Sequence, residues 1–372
     1  MSSYQYYDFY AIDQPLTAEQ QREIDSYSSR STPSARRASF VYHYGDFGPS
    51  TKEVLLQHFD MALYASSYGQ FQLMIKLPAD LVDFRALRAY DIEGEGDYST
   101  CVSVKRYEES VLIDLDYSWE EYGDWLEAEG LLDGMLPLRA QLLKGDYRLL
   151  YLAWLHIVTN ELDEETEWEE PPVPPGLANL DPALEAFMDF WQIDDAMVAA
   201  AARESSTFQQ DEHLAQYLPQ LSEEEKDGFL RALLDEDGPT SIRLQRKLKS
   251  MSSSPSSPSG SPGRSLEELR AARAEEKNRL DEEARKEAER RHREQMERIG
   301  KQQSQLWREI AENAELQTAK GYDRATELLV DLRDYGDFSG EKHAFQNKLR
   351  KVINDYGRSQ AFMRRLKERG MA

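Results

Sequence analysis

The chain has 372 residues, enough for two or three domains, and its 40% apolar content with 6 Trp, 20 Tyr and 13 Phe supports a packed core. Its single cysteine, Cys101, excludes an internal disulfide and any cysteine-rich zinc site. The net charge of −24 is uneven: 25 of the 45 basic and 22 of the 69 acidic residues lie from Arg264 onward, which leaves the first 263 residues at −27 and the rest at +3. So acidic a body repels phosphate, which argues against nucleic-acid binding by residues 1–263.

The opening "MSSYQYYDFYAID" lacks the basic flank and apolar run of a signal peptide. The longest near-apolar stretch, "LLYLAWLHIV" at 149–158, is half of the ~20 residues a membrane span needs. A cytoplasmic protein with no membrane association is therefore expected. "YQYYDFYAI" (4–12) is aromatic-rich and reads as a strand. "PLTAEQQREIDSYSS" reads as a helix, with Thr17 as N-cap and Gln20 completing a capping box. "ASFVYHY" (38–44) is a second strand, and "STKEVLLQHFDMALYASS" reads as one helix capped by Ser50 with Glu53. "QFQLMIKL" (70–77) is a third strand, and "CVSVKRYEESVLIDLDY" (101–117) a hairpin turning near Tyr107–Glu109. This order suggests a mixed sheet. Between the second strand and the helix, Asp46-Phe47-Gly48 matches a kinase magnesium motif. No Gly-rich loop, strand lysine or H-R-D loop precedes it, so it reads as a turn. Similar "YGD" triplets at Tyr122–Asp124 and Tyr335–Asp337 read as turns too.

From 119 to 249 the pattern is helical. "LPLRAQLLKGDYRLLYLAWLHIVTNEL" is broken near Gly145-Asp146, a further helix starts at Asp181-Pro182, and "SEEEKDGFLRALLDED" is capped by Ser222 and Glu225. "SMSSSPSSPSGSPG" is a linker with almost nothing to bury. The charged run after it reads as one long helix, polar all round and hence a solvated spacer. Only Leu280, Met296 and Ile299 offer a thin coiled-coil seam. The expected architecture is α+β: an N-terminal mixed-sheet domain (1–118), a helical domain (119–249), a disordered Ser/Pro linker (250–263), a long charged helix (264–318) and a C-terminal helical hairpin (319–372).

Few residues suggest chemistry. The six histidines are scattered and form no zinc motif; His43 and His58 read as partly exposed residues at element ends, with a small polar site with Asp60 as the alternative, and His156 reads as core. No nucleotide-binding loop or G-x-S-x-G elbow occurs, and no cofactor is expected. Asp114 and Asp116 alternate with Ile113 and Leu115 and so share one strand face; with Glu120 they form the candidate metal site. The loop "ELDEETEWEEPP" offers Glu164, Glu165, Glu167, Trp168, Glu169 and Glu170 to a basic partner, and the basic terminus offers Arg364, Arg365 and Lys367.

"YQYYDFYAIDQPLT", "GDFGPSTKEVLLQHFDMALY" and "EPPVPPGLANLDPALEAFMDF" resemble an uncharacterised family of bacterial proteins over about the first 200 residues. That family has no established activity, so the resemblance implies no catalytic residue. "YDRATELLVDLRDYGDFSGEKHAFQNKLRKVINDYGRSQAFMRRL" resembles the helical C-terminal segment of some bacterial SWIM zinc-finger proteins, over ~50 residues. The finger needs several cysteines, so zinc binding does not carry over. The resemblance implies a shared helical module for docking to a common partner. The leading expectation is a non-enzymatic adaptor with a protein partner. The alternatives are a metal-dependent enzyme built on the carboxylates, and nucleic-acid association through the basic C-terminal end.

Overall fold

The computed structural model describes residues 4–28, 33–92, 101–118, 128–160, 169–207, 214–234, 238–251 and 263–372. The chain divides into two compact units, 1–277 and 278–372. Most of the expected Ser/Pro linker lies outside the described residues. No helix among those described is long and apolar enough to cross a membrane.

The first unit begins with β1 (Gln5–Tyr10), α1 (Ala18–Asp25), β2 (Arg37–Tyr42), α2 (Thr51–His58), β3 (Met61–Ser66) and β4 (Gln70–Pro78). It continues with α3 (Phe84–Arg88), β5 (Cys101–Arg106) and β6 (Ser110–Ser118). Thr17 caps α1 with the expected reciprocal bond to Gln20, and Ser50 caps α2. The helix expected over "STKEVLLQHFDMALYASS" stops at His58, and "MALYAS" is instead a strand. All six residues of β3 are buried, so it shows no alternation to betray it. The break is fixed at Asp60, whose buried carboxylate accepts the backbone N–H groups of Ile12 at 2.7 Å and Asp13 at 2.9 Å.

The sheet order is β2-β1-β3-β4-β6-β5, and every pairing is antiparallel rather than mixed. The parallel relation implied by β2-α2-β3 is present, but β1 lies between the two strands. In the same way β6 lies between β4 and β5. The α+β class holds. One face of the sheet, with Tyr6, Leu63, Leu73, Ile75, Val104, Ile113 and Leu115, shares a core with the following helices. These are α4 (Leu131–Met135), α5 (Pro137–Leu143), α6 (Arg148–Asn160), α7 (Pro182–Trp191) and α8 (Asp195–Ala202). The other face, with Phe9, Phe40, Tyr64, Met74 and Leu112, packs under Ile24 of α1 and Val54 and Leu55 of α2.

Buried charges align sheet and helices. Asp8 is fully buried on β1 and accepts from Arg37 Nε at 2.9 Å, Arg37 Nη2 at 2.6 Å and the Ser39 hydroxyl at 2.9 Å. Arg37 extends to Asp133 of α4 at 3.0 Å. Arg139 of α5 grips Asp13 with two bonds of 2.8 and 2.5 Å and donates to the Lys76 carbonyl at 2.9 Å. Each charge has a partner, as burial requires.

After α9 (Glu223–Leu234) and α10 (Thr240–Met251) comes α11 (Leu266–Glu315), the long charged helix. It is not solvated at its start. Leu266 and Leu269 enter the same core as the sheet, and Glu276 is buried against Arg203 with a 2.6 Å bond. Arg273 donates to Asp194 at 2.6 Å. The helix entry is fixed by Arg264, whose Nη2, Nε and backbone N–H reach the Glu170 carboxylate at 2.6, 2.9 and 3.0 Å, while Tyr151 donates to it at 2.5 Å. Gly263 is needed here, because a Cβ would sit 2.4 Å from the Glu170 carbonyl oxygen.

The second unit holds the rest of α11, then α12 (Ala319–Ser339), α13 (Lys342–Tyr356) and α14 (Gln360–Glu368). Met296, Ile299, Ile310 and Ala314 of α11 pack with Tyr322, Leu328, Leu329, Phe345, Leu349, Phe362 and Leu366. Met296 and Ile299 are therefore core residues here and not an open seam. The hairpin turn is Gly340, at φ +77°, and Tyr335–Asp337 is helical, so that "YGD" is not a turn. A further helix beyond the expected hairpin, α14, follows the Ser359 cap.

Removing Arg264 leaves Glu170 buried without its main partner. Arg264→Ala is expected to destabilise the first unit by about 3 kcal/mol in urea unfolding followed by tryptophan fluorescence. Arg290→Ala, which removes exposed pairs with Glu287 and Glu294, should leave the same midpoint unchanged.

Candidate functional site

Asp114 and Asp116 share the face of β6 opposite Ile113 and Leu115, as the alternation requires. Across the ladders, Asp114 lies opposite Met74 and Ser103, and Asp116 opposite Gln72 and Cys101. Gln72 Nε2 donates to Asp114 Oδ1 at 2.8 Å, and Gln70 Nε2 approaches the Asp116 carboxylate at 3.4 Å. Both carboxylates are half-buried. Burial raises the Asp114 pKa against the opposing Gln72 bond. Burial and then the Asp114 charge push Asp116 up to about 7. Burial, followed by the same two carboxylates, pushes the Cys101 thiol up to about 12, so it is a neutral thiol and a poor nucleophile at pH 7.

This strip therefore holds one carboxyl group that exchanges its proton near neutrality, the range in which a general acid or base works. Glu120, the third expected member, lies outside the described residues. Among those described, no three His, Cys, Asp or Glu side chains are grouped so as to hold a metal ion.

Glu164, Glu165, Glu167 and Trp168 lie outside the described residues. Glu169 is exposed, whereas Glu170 is the buried partner of Arg264. Burial works to raise the Glu170 carboxyl, and the donors from Arg264 and Tyr151 outweigh it and hold the group below its usual range. Arg364 is exposed and lies 3.8 Å from Glu368, Arg365 pairs with Asp323, and Lys367 is exposed. The alternative polar site of His43, His58 and Asp60 does not assemble. His43 contacts the Tyr4 ring, His58 Nε2 lies 3.6 Å from Glu23, and Asp60 faces Arg139 and Lys76. His156 is in the core beside Tyr117, and burial lowers its pKa to about 4.

A cleft of about 350 Å³ is lined by Arg148, Gly176, Asn179, Asp181 and Ser205–Thr207. Its charged members are committed to each other and to neighbours: the Arg148 guanidinium donates to Asp146, Asp181 and the carbonyls of Gly176 and Asn179. The cleft thus staples the segment entering α7.

One surface escaped the sequence reading. Leu230, Leu233 and Leu234 of α9 are 59, 50 and 84% exposed. Their i, i+3, i+4 spacing is ordinarily the mark of a core-facing helix, which is why the pattern did not announce a surface. No family model matches the chain, and neither a curated protein nor a solved structure matches it.

The Asp116 pKa generates a pH prediction. Its folded-state value of about 7 lies above the ordinary 3.8, so between those values the folded state holds more protons than the unfolded. Asp116 therefore costs stability progressively as pH rises from about 4 to 7, and fully above that. Asp116→Asn should melt at a higher temperature than the wild type at pH 8, with the advantage gone at pH 4. Melting curves across that range check it.

Proposed function

We propose that the protein is a non-enzymatic adaptor that engages one partner through its acidic first unit and an acidic partner through its second. The observation that carries this reading is a set of uncommitted cations. Arg350, Lys351, Arg358, Lys367 and Arg369 are exposed and make no ion pair among the described residues, whereas Lys342, Arg364 and Arg365 each have a carboxylate. Residues 342–372 carry nine basic and two acidic side chains, a net +7. A concentrated, unpaired positive surface steers an acidic partner and fixes its register. The helix α11 contributes core residues to both units, so a partner held by one is tethered to whatever the other holds, at raised effective concentration.

The same cations favour a second reading, in which the ligand is a nucleic-acid backbone. That reading requires binding that weakens steeply with salt, by a log–log slope of about −0.9 per neutralised phosphate of duplex DNA.

The test is capture of the tagged full chain from nuclease-treated lysate of its source cells, with Arg350→Glu/Lys351→Glu/Lys367→Glu alongside. A near-stoichiometric acidic protein that the variant loses is expected. An empty bait, or the same partner on both baits, would overturn the reading. Salt-sensitive binding of a duplex oligonucleotide that the variant abolishes would favour the second.

A further inference from the structure

We propose that α9 is a docking face for a basic amphipathic helix of a partner protein. The inference rests on the adaptor reading and assigns the first unit's partner by its chemistry. In α9 no side chain is buried, although it is a 12-residue helix. Isolated helices of that length are marginal in water, and most helices owe their stability to a packed apolar stripe. Here the stripe formed by Leu230, Leu233 and Leu234 points to solvent.

Charge identifies what would cover it. The described stretch "SEEEKDGFLRALL", 222–234, carries four acidic and two basic residues. A second copy would bring this net acidic face against a first unit that is itself at −27. A helix with its own apolar ridge, flanked by lysine or arginine, would satisfy both the leucines and the carboxylates, as in helix-in-groove recognition.

A basic helix already meets α9 at one carboxylate. The sequence of α10, "TSIRLQRKLKSM", has four basic residues and no acidic one, and it buries Ile242 and Leu248. Its Lys247 meets Glu225 of α9 at 2.8 Å. The leucine face adds apolar surface to such carboxylates and has no occupant among the described residues.

The probe is a labelled amphipathic peptide of about 18 residues, with leucines on one helical face and lysines elsewhere. A control peptide has glutamate in place of lysine. Binding to the full chain is followed by anisotropy and compared with Leu233→Ser/Leu234→Ser, whose altered side chains are exposed and should leave the melting temperature unchanged. The lysine peptide is expected to bind the wild type at least about tenfold more tightly than the variant, and the glutamate peptide not to bind. Equal affinity for wild type and variant would reduce the effect to attraction by the −27 body and overturn the proposal. So would no binding, or a wild-type dimer in sedimentation that the variant dissolves, since the face would then belong to a second copy. The leucine variant leaves residues 342–372 intact, so capture through the second unit fails or succeeds independently of this result.

Discussion

The contact between Glu170 and Arg264 decides how the chain is organised. A carboxylate taken out of water is costly unless its lone pairs are filled. Glu170 is satisfied by three N–H groups of Arg264 and by the Tyr151 hydroxyl, while Arg264 also reaches the Ala200 carbonyl. The Ser/Pro-rich stretch thus ends at a fixed point on the first unit. From that point Leu266 and Leu269 turn into the core, and the Arg273–Asp194 and Arg203–Glu276 pairs hold the next turns. The long helix is therefore a structural member of the first unit before it becomes one of the second.

The same economy of buried charge shapes the sheet. Packed on both faces over much of its area, it admits charges only where they are matched, at Asp8 with Arg37 and at Asp13 with Arg139. The Asp114–Asp116 strip is the exception, because two carboxylates meet two glutamine amides and, among the described residues, no cation bonds them directly. Burial and then the neighbouring Asp114 charge raise the Asp116 pKa, and the Gln70 amide only partly offsets them.

Much of this fold was legible in the sequence where local chemistry decides the outcome. The Thr17 and Ser222 capping boxes, the Asp181-Pro182 start and the break at Gly145 all follow from side chains that bond their own backbone neighbours or permit a positive φ. What local signals do not carry was misjudged. The strand β3 is buried on both faces and adjoins a helix, so its apolar run lacks a distinguishing period. The docked start of α11 looks polar because only Leu266 and Leu269 face the core, with Glu276 matched by an arginine 73 positions away. The Asp114–Asp116 face was legible from alternation alone, but the company of Gln70, Gln72 and Cys101 depends on register across three strands. The leucines of α9 were misleading for the opposite reason: their spacing signals burial, and the fold leaves them exposed.

The central claim is that the first turns of α11 belong to the first unit. Native-state hydrogen exchange on the intact chain tests it most directly. The account predicts that amides of 270–276 exchange only with opening of the first unit's core, whereas those of 282–292, where no side chain is buried, exchange far faster. Equal, rapid exchange in both stretches would contradict it, because the helix would then leave the first unit at its first residue.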